Sequence, residues 1–393
     1  MKELSDMRRK EEQIIKDTDK YNQAAECYFQ KRKDDPWLKQ KPISIGFDAL
    51  HCQARFVHLI SALDISQADT VLDFGAGTCW VSALLNRMGV KTISLDVSKT
   101  ALEVGKEIFQ LDKRQRMDLN PEFIVYDGHK FPLPDGSVDR IICFDAFHHI
   151  PNQQDILNEM CRVLREGGKV GFSEPAKFEL GAFHSISKDA IAESETYGIL
   201  ENDIYLPDLR KKAESAGFTG FFIKPLLRID CPNFELNEYP AILENMDRLS
   251  AYLDCCSIIF EKGKEKADSK HPRTLKAEIK IMHAVRKVKA GEVLNTAVKI
   301  KNTGDTLWIS KPQGSPGVVA LGFRLMHHKE KINEYREYLK YDIPPGGEDK
   351  ITVSFAAPYK KGDYLLEFDM VDEHICWFQE KSGKLAIVNI KVA

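Results

Sequence analysis

The sequence predicts an α/β domain with a doubly wound parallel sheet, followed by a smaller all-β domain. From residue 70 onward, five short runs rich in β-branched and aromatic residues alternate with stretches of helical periodicity, as in successive βαβ units. Beyond residue 276, strand-like runs follow one another and are separated by turn sequences such as NTGD and PPGGED. The length of 393 residues suits two or three domains of about 150 residues each.

The composition describes a folded chain without a strong electrostatic preference. It is 43% hydrophobic and 29% charged, and 56 basic against 59 acidic residues give a formal net charge of -3. We do not expect nucleic-acid binding, which needs clusters of Lys and Arg to contact phosphates. The nine cysteines include no CxxC pair, the N-terminus lacks the apolar core of a secretion signal, and no apolar stretch reaches the ~20 residues of a membrane-spanning helix. We therefore expect a cytoplasmic protein with a small or neutral partner and no integral membrane segment.

The elements of the α/β part can be assigned in chain order. Residues 1–45 are predicted to form a charged N-terminal arm that is helical over residues 5–30. The sheet is assigned to residues 46–263, with parallel strands in TVLDFG, KTISLDV, EFIVYD, VDRIICFD and KVGFSEP. TVLDF and RIICF are continuously apolar, as expected where helices cover both faces of a parallel sheet. The later runs GFTGFFIKPLL and CCSIIFEKG flank a helical segment at residues 239–253 and are predicted to pair antiparallel at the sheet edge.

The C-terminal part is predicted to be a separate domain. Residues 264–275 are rich in lysine, contain Pro272 and lack a periodic apolar face, so a solvated linker is expected there. Residues 276–393 have the short, closely spaced strands of an antiparallel, immunoglobulin-like sandwich, with an accessory or binding role. Trp308 and Trp377 could stack on sugar rings, although packing in the core is the more frequent role of a Trp in such strands.

The strongest functional signal is the segment VLDFGAGTCW. It places Gly75 and Gly77 between a strand and a helix, where a ligand can approach backbone that carries no side chain. About twenty residues further on, Asp96 ends the second strand, where its carboxylate can accept hydrogen bonds from both ribose hydroxyls. Taken singly, these residues could serve only a tight turn and a helix cap. Together they predict a cofactor that contains adenosine.

Two neighbouring residues distinguish between cofactors of this kind. A dinucleotide site needs a small residue at the third position of the glycine fingerprint, but this chain has Trp80 there. Asp73, in the strand before the glycines, would repel a pyrophosphate and would attract the amino group of an amino acid. These features favour S-adenosylmethionine over NAD.

Residues 70–175 resemble the class I S-adenosylmethionine-dependent methyltransferases, which have a Rossmann-like sheet. The segments FDAFHHIPN and LREGGKVGFSEP also match parts of this family. The resemblance implies that Asp73, Gly75 and Gly77 contact the methionine moiety and that Asp96 binds the ribose. It also implies that Asp127 and Gly128 address the adenine edge, although an Asp-Gly pair at a strand end is often only a turn. The predicted cofactor site further includes Val97 and Phe144.

Catalysis by such an enzyme needs an aligned acceptor and, for a hydroxyl group, a base. His148 and His149 follow the fourth strand at the ligand-binding edge of the sheet, and one of them is the candidate base. For either residue, packing in the core or capping a backbone carbonyl is an equally good interpretation. Glu174 and His184 are expected to face the acceptor, the first to bind it and the second as a rival base. No metal site is predicted, because the sequence has no supporting i, i+4 pair of ligands.

The acceptor is suggested by a less specific resemblance. The segments around Glu174, around His184 and in YGILENDI resemble a bacterial methyltransferase subgroup encoded with genes for glycan assembly. This implies O-methylation of a saccharide or glycolipid hydroxyl in polysaccharide biosynthesis, with a homodimer as a possible assembly. Two alternatives remain open: a small-molecule C- or N-methyltransferase of secondary metabolism, and a non-catalytic scaffold that binds a glycan or a protein.

Overall fold

The computed structural model describes nine stretches of the chain. They are residues 18–43, 47–177, 196–201, 204–233, 237, 253–264, 267–282, 287–381 and 384–393. These residues fall into two compact units, one within residues 1–65 and 69–265 and the other within residues 66–68 and 266–393. Within the described stretches, no helix combines the length and the hydropathy that crossing a bilayer would require.

The first unit is built on a seven-stranded sheet. Its described strands are β1 (Thr70–Phe74), β2 (Lys91–Asp96), β3 (Glu122–Val125), β4 (Val138–Phe144), β5 (Leu164–Ser173), β6 (Ala176–Lys177), β7 (Ile204–Tyr205), β8 (Gly220–Leu227) and β9 (Leu253–Glu261). The strand order is β3-β2-β1-β4-β5-β9-β8, and the short strands β6 and β7 pair only with each other. The first five strands of the sheet are parallel, whereas β9 is antiparallel to both β5 and β8. The predicted parallel sheet and its antiparallel edge pair are therefore confirmed.

Helices cover both faces of this sheet. The described helices are α1 (Thr18–Arg32), α2 (Pro36–Gln40), α3 (Phe47–Leu63), α4 (Trp80–Arg87), α5 (Lys99–Leu111), α6 (Gln153–Val163) and α7 (Leu206–Ala216). Leu72 and Phe74 of β1 pack on the face covered by α6 and α7, whereas Val71 packs on the face covered by α3 and α4. Since both faces are covered, the central strands are apolar throughout, as their sequences predict. The predicted helix at residues 239–253 and the arm before residue 18 lie outside the described residues.

The second unit contains two sheets that share one core. Its strands are β10 (Ala277–Ile281), β11 (Lys287–Val288), β12 (Val293–Asn302), β13 (Val319–His327), β14 (Glu330–Tyr338), β15 (Glu348–Ala356), β16 (Gly362–Asp372), β17 (Cys376–Trp377) and β18 (Ala386–Val392). One sheet has the order β10-β12-β15, and the other has the order β11-β18-β16-β13-β14 with β17 beside β16. The pairing of β11 with β18 is parallel, so the larger sheet is mixed. The immunoglobulin-like topology stays a prediction.

Two details of this unit differ from expectation. Asp268 and Ser269, in the segment predicted to be a solvated linker, are buried, and the Ser269 hydroxyl donates a hydrogen bond to the Gly317 carbonyl. These polar side chains find partners in the second unit, which the lysine-rich composition did not indicate. Trp308 is fully buried in the core, so it cannot stack on a sugar, whereas Trp377 is partly buried with the Arg324 guanidinium 3.5 Å from its ring centroid.

Candidate functional site

A cavity of about 550 Å³ lies in the first unit, at the carboxyl ends of β1, β2 and β4. Its wall combines the glycine loop after β1, the ends of β2 and β4, the loop after β4, and helix α1. The lining includes Gly75, Gly77, Trp80, Asp96, Val97, Tyr126 and Phe144, together with Lys41, Asp145, His148, His149 and Glu201. Five of the eight residues predicted to contact the cofactor therefore line one cavity: Gly75, Gly77, Asp96, Val97 and Phe144.

The glycine loop needs its glycines for conformation and for space. Gly75 has a φ of +66°, and a Cβ atom there would lie 2.5 Å from the Cβ of Ala146. Gly77 has a φ of +50°, and its N–H donates a 2.8 Å hydrogen bond to Oδ2 of Asp96. Left-handed backbone of this kind is strained for residues that carry a Cβ atom. The loop therefore brings bare backbone up to the cavity, as the sequence predicts.

Asp96 joins the glycine loop to the end of β2. Its Oδ1 accepts the N–H of Ser98 and its Oδ2 accepts the N–H of Gly77, each at 2.8 Å. Burial raises the pKa of this carboxyl group, and the backbone donors oppose that shift. A carboxylate has about four acceptor positions, so two remain after these backbone bonds. Two free positions at the cavity wall fit the two hydroxyls of a ribose.

Asp73 lies beneath the loop and is not among the residues that line the cavity. It is buried, and its Oδ2 accepts the N–H of Ser82 at 3.1 Å and the hydroxyl of Ser82 at 2.8 Å. Cys79, the N-cap residue of α4, provides no side-chain cap, so Asp73 satisfies an amide in the first turn of that helix instead. Burial raises the pKa of Asp73 to about 7, although both bonds from Ser82 lower it.

Asp127 and Gly128 are also absent from the lining of the cavity. Oδ1 of Asp127 accepts the backbone N–H groups of His129 and Lys130, which closes a turn and lowers the pKa of this carboxyl group. The Asp127 carbonyl accepts a hydrogen bond from the Asn22 amide of α1. These contacts correspond to the turn that the sequence analysis left open. Tyr126, one residue earlier, lines the cavity instead.

Helix α1 forms a wall that the sequence analysis did not assign. Tyr21, Ala25, Tyr28 and Phe29 line the cavity, at a spacing that places them on one helix face. Glu26 holds the helix in place, because its carboxylate accepts the hydroxyls of Ser98 and Thr100 at 2.7 and 2.6 Å. Burial would raise the pKa of Glu26, but these hydrogen bonds lower it overall. The i, i+4, i+7 spacing of Tyr21, Ala25 and Tyr28 was the available signal.

Glu174 faces inward, which differs from the expectation that it faces the acceptor. It is fully buried, and its Oε1 accepts the backbone N–H groups of Ala146 and Phe147 at 2.8 and 2.7 Å. Its Oε2 lies 2.5 Å from Nδ1 of His148. A buried carboxylate needs such donors, and the loop after β4 supplies all three. Glu174 therefore fixes the ring of His148 and does not contact the cavity itself.

His148 and His149 both line the cavity but differ in their surroundings. Nε2 of His148 lies 3.6 Å from Oε2 of Glu201. Burial by itself would lower the pKa of His148, but the charges of Glu174 and Glu201 raise it overall. Nδ1 of His149 lies 2.7 Å from the Leu200 carbonyl, and burial together with neighbouring His148 lowers its pKa to about 4. His184, the rival base, lies outside the described residues.

Further charged residues complete the polar end of the cavity. Asp145, with a φ of +48°, pairs with Arg55 of α3 through hydrogen bonds of 2.5 and 3.1 Å. Arg55 also donates to the Ser173 hydroxyl, so it joins the ends of β4 and β5. Burial would raise the pKa of Asp145, but Arg55 and Lys41 lower it overall. The sequence analysis missed Arg55, Glu201 and Lys41, because each lies far along the chain from the recognised motifs.

Comparisons with known proteins give a consistent result. Residues 72–172 match the model of a methyltransferase domain family. The chain is 32% identical over 179 residues to a demethylmenaquinone methyltransferase of Beutenbergia cavernae, which is 42% of this chain and 69% of that protein. It is also 33% identical over 132 residues to a malonyl-[acyl-carrier protein] O-methyltransferase of a Marinomonas species and 31% identical over 117 residues to the methyltransferase GfsG of Streptomyces halstedii. These two matches cover 33% and 30% of this chain but only 46% and 41% of those relatives.

Solved structures resemble this chain at low sequence identity. The [4+2]-cyclase SpnF is 15% identical, with a TM-score of 0.44, over 62% of this chain and 97% of that one. A phosphoethanolamine N-methyltransferase of Haemonchus contortus, solved with S-adenosylmethionine, is 16% identical, with a TM-score of 0.37, over 54% of this chain and 52% of that one.

Proposed function

Because this chain belongs to the class I S-adenosylmethionine-dependent methyltransferases, we propose that it methylates a hydroxyl group of a saccharide, a glycolipid or another small polar acceptor. The chain is an enzyme, so the alternative of a non-catalytic scaffold is wrong. Its cofactor is S-adenosylmethionine, which supplies an electrophilic methyl group on a sulfonium. The two free acceptor positions of Asp96 suit the ribose, and the bare backbone of Gly75 and Gly77 leaves room for the methionine moiety.

The observation that carries the choice of acceptor is the polarity of the cavity beyond Phe144. Lys41, Asp145, His148 and Glu201 all line this part, so an acceptor there meets hydrogen-bond donors, acceptors and both signs of charge. A compound with several hydroxyl groups can satisfy such side chains, whereas a purely apolar acceptor would leave them without partners. This supports a sugar-like acceptor.

A second candidate is a small aromatic acceptor that is methylated on carbon. Tyr28, Trp80 and Phe144 line the same cavity, and their rings could stack on a flat molecule. Several relatives are also named demethylmenaquinone methyltransferases. The mass and fragmentation pattern of the methylated product separate the two candidates.

The proposed base is His148, supported by its contacts with neighbouring residues. Because Glu174 accepts the proton on Nδ1, the lone pair of this imidazole lies on Nε2. As the acceptor oxygen forms its bond to the methyl carbon, the carbon–sulfur bond breaks with its electron pair left on sulfur, and the hydroxyl proton passes to Nε2. Glu174 stabilises the imidazolium that results, and Trp80 and Phe144 exclude water from the reacting atoms.

The experiment combines a panel of acceptors with one substitution. Purified full-length protein is incubated with S-adenosylmethionine and with saccharides, glycolipids or quinones, and products are identified by mass spectrometry. For the acceptor that is methylated, His148→Gln is expected to lower kcat by about 10²–10⁴-fold, as removal of a general base does. The matched control is His129→Gln, because His129 is exposed and lies outside the cavity. Unchanged kcat in His148→Gln would exclude this residue as the base.

The remaining features of the proposal concern the whole chain. We place the enzyme in the cytoplasm and assign residues 276–393 to an accessory domain of immunoglobulin-like type that binds the acceptor or a second copy. The shared core of its two sheets supports an independent domain. Light scattering of the purified chain tests the homodimer, and the mass of a monomer at all concentrations would exclude it.

A further inference from the structure

We infer that His148, His149 and Glu201 form a binding site for one divalent transition-metal ion of the zinc type. Each residue offers one ligand atom, and the three atoms all lie within 4.8 Å of one another. The sequence analysis excluded a metal because it required ligands at i and i+4 of a helix. Here the two histidines are adjacent in a 3-10 turn, Phe147–His149, and the carboxylate arrives from a distant loop.

The contacts behind the two histidines are those of metal ligands. Nδ1 of His148 lies 2.5 Å from the Glu174 carboxylate, and Nδ1 of His149 lies 2.7 Å from the Leu200 carbonyl. Because both partners are acceptors, both rings hold their proton on Nδ1 and keep the lone pair of Nε2 free. A histidine that binds a metal typically donates its other N–H to a carboxylate or a backbone carbonyl in this way.

The supporting residues also hold these rings in position. The second oxygen of Glu174 accepts two backbone N–H groups from the loop that carries the histidines. The ring centroids of His148 and His149 lie 3.9 Å apart, which keeps the two rings side by side. A site whose ligands are fixed in this way loses little conformational freedom when an ion binds.

The distance between His148 and Glu201 fits two ligands of one ion. Nε2 of His148 lies 3.6 Å from Oε2 of Glu201, which is too long for a hydrogen bond. Two ligand atoms that each lie about 2.1 Å from the same metal are separated by roughly 3–3.5 Å. An ion between them would thus need only a small closing movement.

The ligand set selects the kind of ion. Two imidazoles and one carboxylate suit Zn²⁺, Fe²⁺, Co²⁺ or Ni²⁺, whereas Mg²⁺ and Ca²⁺ prefer sites built of oxygen atoms. Three protein ligands leave a coordination position open, as in catalytic zinc sites. All three residues line the cavity, so water or an acceptor oxygen can occupy that position.

The consequence for catalysis rests on the proposed function. The lone pair that would bind the ion is the same Nε2 lone pair that would accept the hydroxyl proton. The ion and the proton therefore compete for His148, and the protein loaded with metal is expected to be the inhibited form.

The test is a metal titration of the full-length protein, purified without a histidine tag and treated with a chelator. Co²⁺ is followed by its visible absorption and Zn²⁺ by calorimetry, and one ion per chain is expected. His148→Ala and Glu201→Gln are each expected to weaken binding by at least about 100-fold, and Glu174→Gln by about 10–100-fold. The matched control His129→Ala should leave the affinity unchanged.

Two further readings make the result unambiguous. Cys27 and Cys231 are free and partly exposed, so the Co²⁺ spectrum must lack the charge-transfer band of a thiolate ligand. Melting temperatures show whether each variant is folded. The inference is overturned if no ion binds, or if folded His148→Ala and Glu201→Gln bind it as well as the unmodified chain. Binding of S-adenosylhomocysteine is measured in parallel: its loss counts against the proposed function, and the loss of Co²⁺ binding alone counts only against the metal site.

Discussion

Replacement of Asp96 by Ala is expected to weaken cofactor binding by at least about 100-fold. The Asp96 carboxylate has two acceptor positions left after it binds the N–H groups of Gly77 and Ser98. A hydrogen bond to a charged acceptor contributes about 1.5–3 kcal/mol, so two bonds to the ribose contribute about 3–6 kcal/mol. This corresponds to a factor of roughly 10²–10⁴ in Kd. The loss is a minimum, because the amide of Gly77 also loses the acceptor that anchors the glycine loop.

The assay is calorimetric titration of the full-length protein with S-adenosylhomocysteine. Asp96→Asn keeps the shape of the side chain and one acceptor oxygen, so a loss of about 10–100-fold is expected for this variant. The matched control is Asp118→Ala, because Asp118 is exposed and pairs only with Arg116 among the contacts described for it. A folded Asp96→Ala protein that binds within a factor of three of the unmodified chain would refute this account of the site.

Three further substitutions test other parts of the structure. Gly75→Ala should lower stability by about 2 kcal/mol or more, measured by thermal melting, because the new Cβ would lie 2.5 Å from that of Ala146 at a φ of +66°; a variant as stable as the unmodified chain would contradict the loop geometry. Glu26→Gln should speed amide hydrogen exchange in residues 18–32 by about tenfold, because it weakens the charge-assisted bonds to Ser98; unchanged exchange would show that these bonds do not hold the helix. The third substitution concerns Asp372, whose two carboxylate oxygens are buried without a hydrogen-bond partner among the described residues. Burial raises the pKa of Asp372 to about 8, so the folded state binds more protons than the unfolded state from about pH 4 to pH 8, and stability falls with rising pH by up to about 5 kcal/mol. Asp372→Asn should remove this dependence, and equal slopes of melting temperature against pH in the two proteins would exclude it.

The cofactor half of the site was predictable because its signals are local. The order of strand, glycine loop and helix occupies one short segment, and the left-handed conformations of Gly75 and Gly77 explain why that segment has these residues. Asp96 was identified by its position at the end of the next strand. For the same reason Asp73 was placed in the right strand, but its partner Ser82 depends on how α4 packs against β1.

The acceptor half was only partly predictable. His148 and His149 were found from their place after the fourth strand, but which atoms face the cavity depends on Glu174 and Leu200. Glu174 was assigned to the acceptor, since nothing in its own segment shows that three donors wait for it 26 to 28 residues earlier. Glu201 belongs to no recognised motif and joins the site only through the course of the chain.

The sequence by itself determined the order of elements, the parallel sheet with its antiparallel edge, and the cofactor, because periodicity and glycine conformation depend on a few neighbouring residues. The tertiary structure decided which side chains meet at the polar end of the cavity. Arg55 contacts Ser173 across 118 positions, and Glu26 contacts Ser98 across 72. Such pairs form because helices packed on a common sheet place distant residues side by side, and the cost of leaving a buried charge without a partner selects the arrangement that satisfies them.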